Sequence, residues 1–463
     1  MKILLSKQYL LLLFIAITCI DSCSIGRSIL TYEASPKGPD NLVIKEGIIS
    51  KTSQRIKYKK KGRTQAIIDL SNPIMVAQAV DEEKWGYFQF PELSETDDGT
   101  IVVSWQMNED SHMAYGKSSD RSTLPMISRD KGKTWIPKDR QYTTFARTYS
   151  IRTRNGGILR IKTPISQDIN SFKSFPEPVA QKNEKKYYLL DKLPSNLKSI
   201  YFTYQDTENK WKDIIATIND PGLLRYAIND YMPVVWWGNI KELDNNTLVA
   251  GVYPCYYLDD NNNVSPCITT FYSSMDGGYS WELLGKIPSL SWTEYDQLKG
   301  DGGFTEPAFE ILADSTFLCV MRTGSSSPMY KSFSYDKGKT WTKPVPFTPN
   351  GEKPQLMLLK NGVLVLSSGY PGVQLRFSFD GKGNEWSDPI DMIPFMNIDA
   401  TETHGVTCGY TSLLESGRDS FYIVYSDFTT RNESGEARKS IWFREITVKK
   451  RNDKILKNES INP

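Results

Sequence analysis

A short turn is written four times along this chain, and no other feature constrains its fold as much. The regular copies read Ser128-Arg129-Asp130-Lys131-Gly132-Lys133-Thr134-Trp135, Ser274-Met275-Asp276-Gly277-Gly278-Tyr279-Ser280-Trp281 and Ser334-Tyr335-Asp336-Lys337-Gly338-Lys339-Thr340-Trp341. The last, Ser378-Phe379-Asp380-Gly381-Lys382-Gly383-Asn384-Glu385-Trp386, carries one inserted residue. The Ser and Asp side chains of such a turn bond to backbone groups within it. Its Gly accepts positive φ, and its Trp is expected to bury a large ring against the next sheet. A worn copy from Tyr204-Gln205-Asp206 to Trp211 keeps the Asp-to-Trp spacing.

A second repeat runs in step with the first. Six times a turn-forming pair precedes a short apolar run. The pairs are Asp98-Gly99, Asn155-Gly156, Asn245-Asn246, Asp314-Ser315, Asn361-Gly362 and Asp419-Ser420, and the runs begin at Ile101, Ile158, Leu248, Phe317, Val363 and Phe421. Turn dipeptides flanked by apolar runs read as β-hairpins, and their recurrence signals a repeat architecture. Long amphipathic patterns of helical period are absent, so the chain is read as all-β. The four turns resemble the Asp-box repeats of the sialidase-like superfamily, and the resemblance spans most of the chain. It implies a six-bladed β-propeller of four-stranded antiparallel blades, the count that the six hairpins also give.

With 463 residues and a formal charge of +2, nothing directs the chain toward nucleic acid. Lys2 and Lys7 precede an apolar run from Tyr9 to Ile20 that is too short to span a membrane permanently and reads as an export signal. Ile20-Asp21-Ser22-Cys23 resembles a bacterial lipoprotein cleavage box, with Asp21 an unusual occupant and Cys19 a competing site. Cys23 is then the lipidated residue, and the product is an outer-membrane lipoprotein that meets the membrane only through that anchor. Residues 24–63 read as a polar linker ending in the basic stretch Lys57 to Lys61. Residues 64–449 are assigned to the propeller and 450–463 to a polar tail, and a monomer is expected. Cys255 and Cys267 bracket a polar loop and either bridge or stay as buried thiols. Cys319 and Cys408 read as core. No metal-type cysteine spacing occurs, and no cofactor or metal is expected.

The family places its active site on the rim opposite the Asp boxes. Gly303-Phe304-Thr305-Glu306-Pro307, with Arg322 downstream, resembles the stretch that supplies a buried Glu and the second of three arginines. Cys408-Gly409-Tyr410-Thr411-Ser412-Leu413 resembles the segment of the nucleophilic tyrosine. A neutral phenol, with a pKa near 10, attacks poorly at neutral pH. A carboxylate that accepts its proton makes attack feasible, so Glu306 and Tyr410 are the expected couple. Asp120 stands where the family has its general acid–base, with Asp110 as runner-up.

Other positions depart from the family. Its first arginine lies in Phe-Arg-Ile-Pro, where this chain has Phe88-Gln89-Phe90-Pro91. Its third is matched by Tyr370, and Ser426 replaces a glutamate after Tyr425. Arg322 survives, with Arg376 a weaker substitute. Gln89, Tyr370 and Arg322 thus form a more neutral pocket than a three-arginine clamp. His112 and His404 fall in expected rim loops of the first and last blades, and either pair across the closure or serve as ordinary loop residues. In Trp236-Trp237, one ring is a candidate stacking platform, here assigned to Trp236, while its neighbour faces the core. The function expected is an exo-glycosidase with altered specificity acting on a glycan. A polysaccharide lyase and a non-catalytic glycan-binding propeller are the alternatives.

Overall fold

Each of the turn dipeptides sits where two paired strands reverse. The runs after them form the strands Ile101–Met107, Ile158–Lys162, Leu248–Cys255, Phe317–Arg322, Leu364–Gly369 and Ser420–Arg431. Gly99, Gly156, Asn246, Ser315 and Gly362 all take positive φ, the backbone state that tight hairpins demand. The computed structural model of the chain describes residues 52–60, 63–96, 98–107, 125–137, 150–208, 210–298, 302–324, 327–370, 372–393 and 405–451, with the backbone of Ile48 and Ile49.

The protein is all-β. Among the described residues its sheets hold four, four, five, five, six and eight strands, so they are not a uniform set of four-stranded units. The eight-stranded sheet consists of two antiparallel sets joined by parallel pairing of Thr217–Asn219 with Ser280–Glu282. A five-stranded sheet built from Gln167–Asp168, Ala180–Lys182, Lys185–Leu189, Leu224–Ile228 and Tyr231–Met232 corresponds to no repeat in the sequence.

The repeated turns share one hydrogen-bond set. In each, the Ser Oγ donates to the Asp Oδ1 at 2.7–2.8 Å and accepts from the Gly N at 2.7–3.1 Å. Each Trp Nε1 donates to that Gly carbonyl at 2.8–3.1 Å. The Trp rings pack against the preceding antiparallel set of strands rather than the next. Trp281 stacks on Phe202 at 5.7 Å, Trp341 on Phe271 at 4.2 Å, and Trp386 meets Phe347 at 5.2 Å. Trp135, in the first such sheet, lies 5.1 Å from Phe443 in the last, so the first and last repeats touch. Hydrophobic clusters fill the spaces between successive antiparallel sets in the same way.

The two ends of the described chain meet in one sheet. Arg63–Leu70 pairs antiparallel with Ala437–Lys450, Ala66 facing Lys450 and Leu70 facing Ile446. Arg444 is fully buried there and donates from Nε to the Ser71 carbonyl at 2.8 Å and from Nη2 to that of Thr52 at 2.6 Å. The linker expected through residue 63 therefore ends earlier: Gln54–Lys60 is a strand paired with Arg63–Leu70, and Tyr58 packs 4.5 Å from Phe379. Lys60, from the basic stretch, forms an ion pair with Glu385. Cys255, Cys267, Cys319 and Cys408 are all buried free thiols. Among the described residues no helix is long and apolar enough to cross a membrane.

Candidate active site

An X-Pro step recurs near the start of the first strand in three sheets: Phe90-Pro91, Glu306-Pro307 and Lys353-Pro354. Proline donates no ladder hydrogen bond and its ring keeps the residue before it out of the α region. Strand register slips at each of these steps, between Gln89 and Glu92, Thr305 and Ala308, and Glu352 and Gln355. The residue before each proline takes positive φ: 51° at Phe90, 47° at Glu306 and 42° at Lys353. Such bulges bend a strand and re-aim its side chains, and positive φ at a residue other than glycine stores about 1–3 kcal/mol of strain.

The bulges and the end of the strand Phe317–Arg322 gather one constellation. The Tyr410 hydroxyl donates to Glu306 Oε1. Glu306 Oε2 accepts from Lys353 N at 2.9 Å and pairs with Arg322 Nη1 at 3.2 Å. Arg322 Nη2 stands 3.5 Å from Glu352 Oε2. The Phe90 ring meets Tyr410 edge-on at 4.7 Å, and the Lys353 ammonium lies 5.3 Å from the Tyr410 ring. Gly409 delivers Tyr410 by a φ of +74°, and a Cβ there would come within 2.3 Å of Glu352 Oε1. The Cys408 thiol accepts from Phe90 N at 3.4 Å and lies 3.1 Å from Ser426 Oγ.

Strand register puts this constellation at the end of the sheet away from the repeated turns. Thr305 faces Arg322 at one end, whereas Ile311, Phe317 and Ser334, where a turn begins, align at the other.

Burial alone would push the Glu306 carboxyl up. The Arg322 and Lys353 charges, with the hydrogen bonds from Tyr410 and Lys353 N, outweigh it and leave the group below its ordinary value. Tyr410 moves the other way: burial, then the Glu306 charge and the Tyr253 hydroxyl, hold its phenol well above the usual range. The resting pair is therefore a carboxylate beside a neutral phenol.

Of the residues expected at the site, Glu306, Tyr410 and Arg322 are in mutual contact. Tyr370 follows Gly369, whose backbone packs directly on Gly409. It takes a φ of +40°, and its proline, Pro371, repeats the X-Pro pattern. Gln89 is fully buried beside Phe90, and among the described residues neither its Nε2 nor its Oε1 has a hydrogen-bond partner. Trp236 is no stacking platform: at 4% exposure it packs into the core 5.0 Å from Trp281. Its neighbour Trp237 is the half-buried ring, 5.7 Å from Tyr253 and donating to Thr163 Oγ1 at 3.1 Å. Arg376 donates to Gln374 Oε1 at 3.2 Å, with Asp391 and Asp388 as its neighbouring charges. Asp120, Asp110, His112, His404 and Cys23 lie outside the described residues. Glu352 and Lys353 were not read from the sequence as site residues, although the repeated X-Pro step was there to mark them. Among the described residues no three His, Cys, Asp or Glu side chains gather as a metal site.

The sequence matches no family model and no curated relative. Solved structures do resemble it. A protein of unknown function from Dyadobacter fermentans DSM 18053 is 16% identical over 81% of this chain and 99% of its own, with a TM-score of 0.52. A Penicillium chrysogenum α-L-arabinanase complexed with arabinobiose is 15% identical over 81% and 98% (TM-score 0.47). The Hadza microbial sialidase Hz136 is 15% identical over 78% and 65% (TM-score 0.45). The structural neighbours are thus sialidases and arabinanases, and what the chain shares with the Dyadobacter protein is a fold.

Proposed function

We propose that the protein is an exported glycoside hydrolase that removes a terminal sugar from a glycan, with a specificity unlike that of a sialidase. The scaffold is read as a propeller of six four-stranded blades. In that reading the eight-stranded sheet counts as two blades, and Arg63–Leu70 completes the last. One observation carries the activity: the neutral Tyr410 phenol donates to a buried carboxylate that Arg322 and Lys353 keep ionised.

The chemistry follows from that contact. Tyr410 Oη attacks the anomeric carbon and its proton passes to Glu306 as the new C–O bond forms. The glycosidic C–O bond breaks, and the leaving oxygen takes a proton from a general acid, the role the family resemblance gives to Asp120. Water, giving its proton to that same acid–base group, then attacks the anomeric carbon and cleaves the tyrosyl–sugar bond, and Glu306 returns the proton to the phenol. Sialidases are exceptional among glycosidases in using a tyrosine nucleophile, and this pair follows that pattern. Lyase action would need a uronate carboxylate held by Arg322, yet that guanidinium already faces Glu306 and Glu352.

A panel of aryl glycosides assayed with the native chain, Tyr410→Phe and Glu306→Gln tests the proposal. We expect the native chain to release a free sugar, and each variant to lose at least a hundredfold in kcat/KM, within the usual worth of acid–base and nucleophilic groups. Unchanged turnover in both variants, or an unsaturated ultraviolet-absorbing product, overturns it.

A further inference from the structure

We infer that the site accepts a sugar ring without a carboxylate, and that Glu352 enforces this choice; the inference rests on the hydrolase reading above. A guanidinium recognises a substrate carboxylate by offering two parallel N–H bonds from one edge. The terminal nitrogens of Arg322 are instead divided between two protein acids, Nη1 toward Glu306 at 3.2 Å and Nη2 toward Glu352 at 3.5 Å. Both acids are deeply buried, with 5% and 1% of their surface exposed.

Glu352 cannot easily step aside. It sits on the bulge ahead of Lys353-Pro354, and the Gly409 backbone closes over its Oε1. Turning Arg322 toward a substrate would break its ion pair with that buried carboxylate, a costly change. Charge counting agrees, because among the described residues Glu306 and Glu352 are balanced by Arg322 and Lys353. A substrate carboxylate would add a third anion beside these two buried acids. At the equivalent bulge of the first sheet stands Gln89, whose fully buried amide has neither polar atom hydrogen-bonded among the described residues. An amide offers one acceptor and two donors and no charge, which suits sugar hydroxyls rather than a carboxylate. Glu352 is therefore a specificity-determining residue that acts by occupying Arg322.

Calorimetric titration of the full chain with free N-acetylneuraminic acid and D-glucuronic acid, against neutral D-galactose and L-arabinose, tests this. Glu352→Gln should bind the two acids at least tenfold more tightly than the native chain, leave the neutral sugars within threefold, and lose the gain when Arg322→Gln is added. Glu352→Asp, whose shorter carboxylate withdraws from Nη2, should show a smaller gain in the same direction and serves if the glutamine variant fails to fold. No gain in a folded variant, or tighter binding of the acids than of the neutral sugars by the native chain, overturns the inference. Free monosaccharides are not turned over, so these affinities stand apart from the hydrolysis assay, and either proposal can fail alone.

Discussion

Glu306 shows how far one side chain can be read from sequence and where the reading stops. Its partner Tyr410 was legible because each sits in a recognisable stretch, Thr305-Glu306-Pro307 and Gly409-Tyr410-Thr411. The acid's ionisation was not legible, since it depends on Arg322, the Lys353 amide and burial together. The sign of the resulting pH effect is fixed. A carboxyl depressed in the folded state contributes stability that is complete above its ordinary value of 4.5 and fades as pH falls through the depressed one. The acid limb of kcat/KM should likewise lie below pH 4.5. In Arg322→Gln burial is left less opposed, so the limb should move upward in a pH–rate profile. A limb that stays in place would separate Glu306 from the rate.

At the scale of elements, the repeated turns were readable because every bond that defines them is local, from Ser to Asp to Gly to Trp. The inserted five-stranded sheet was not. Its strands are two to five residues long, and it pairs Gln167 with Met232, so no short window holds its pattern. The direction of Trp packing was also misjudged, because a turn does not say which neighbour its ring will meet. The difference between an intact and a worn copy should be measurable. Trp281 is fully buried among Phe202, Trp236 and Tyr272, whereas Trp211 is 41% exposed. Trp281→Ala should cost about 3–5 kcal/mol in denaturant unfolding, as large aromatic truncations in cores do. Trp211→Ala should cost under about 1 kcal/mol, in the range of surface changes. Equal losses would mean that the worn copy holds its sheet as firmly as the others.

For the molecule as a whole, the expected boundary at residue 63 failed because Gln54–Lys60 becomes a strand only in the sheet that Ala437–Lys450 completes, and a local reading sees just a basic tether. Arg444 fastens this junction through the Ser71 and Thr52 carbonyls. Arg444→Ala removes those donors, and limited proteolysis should then cut before residue 72 in the variant well ahead of the native chain. Equal cleavage rates would show that strand pairing suffices without it. The junction also orders events in time. Arg444 and Ser71 are 373 positions apart, so the strand Arg63–Leu70 waits for a partner translated much later. Tyr410 likewise reaches Glu306 only once the final sheet forms. Nascent protein released prematurely from the ribosome would thus be an unlatched polypeptide, and the contact between Tyr410 and Glu306 would arrive in one late step rather than accrue gradually during translation.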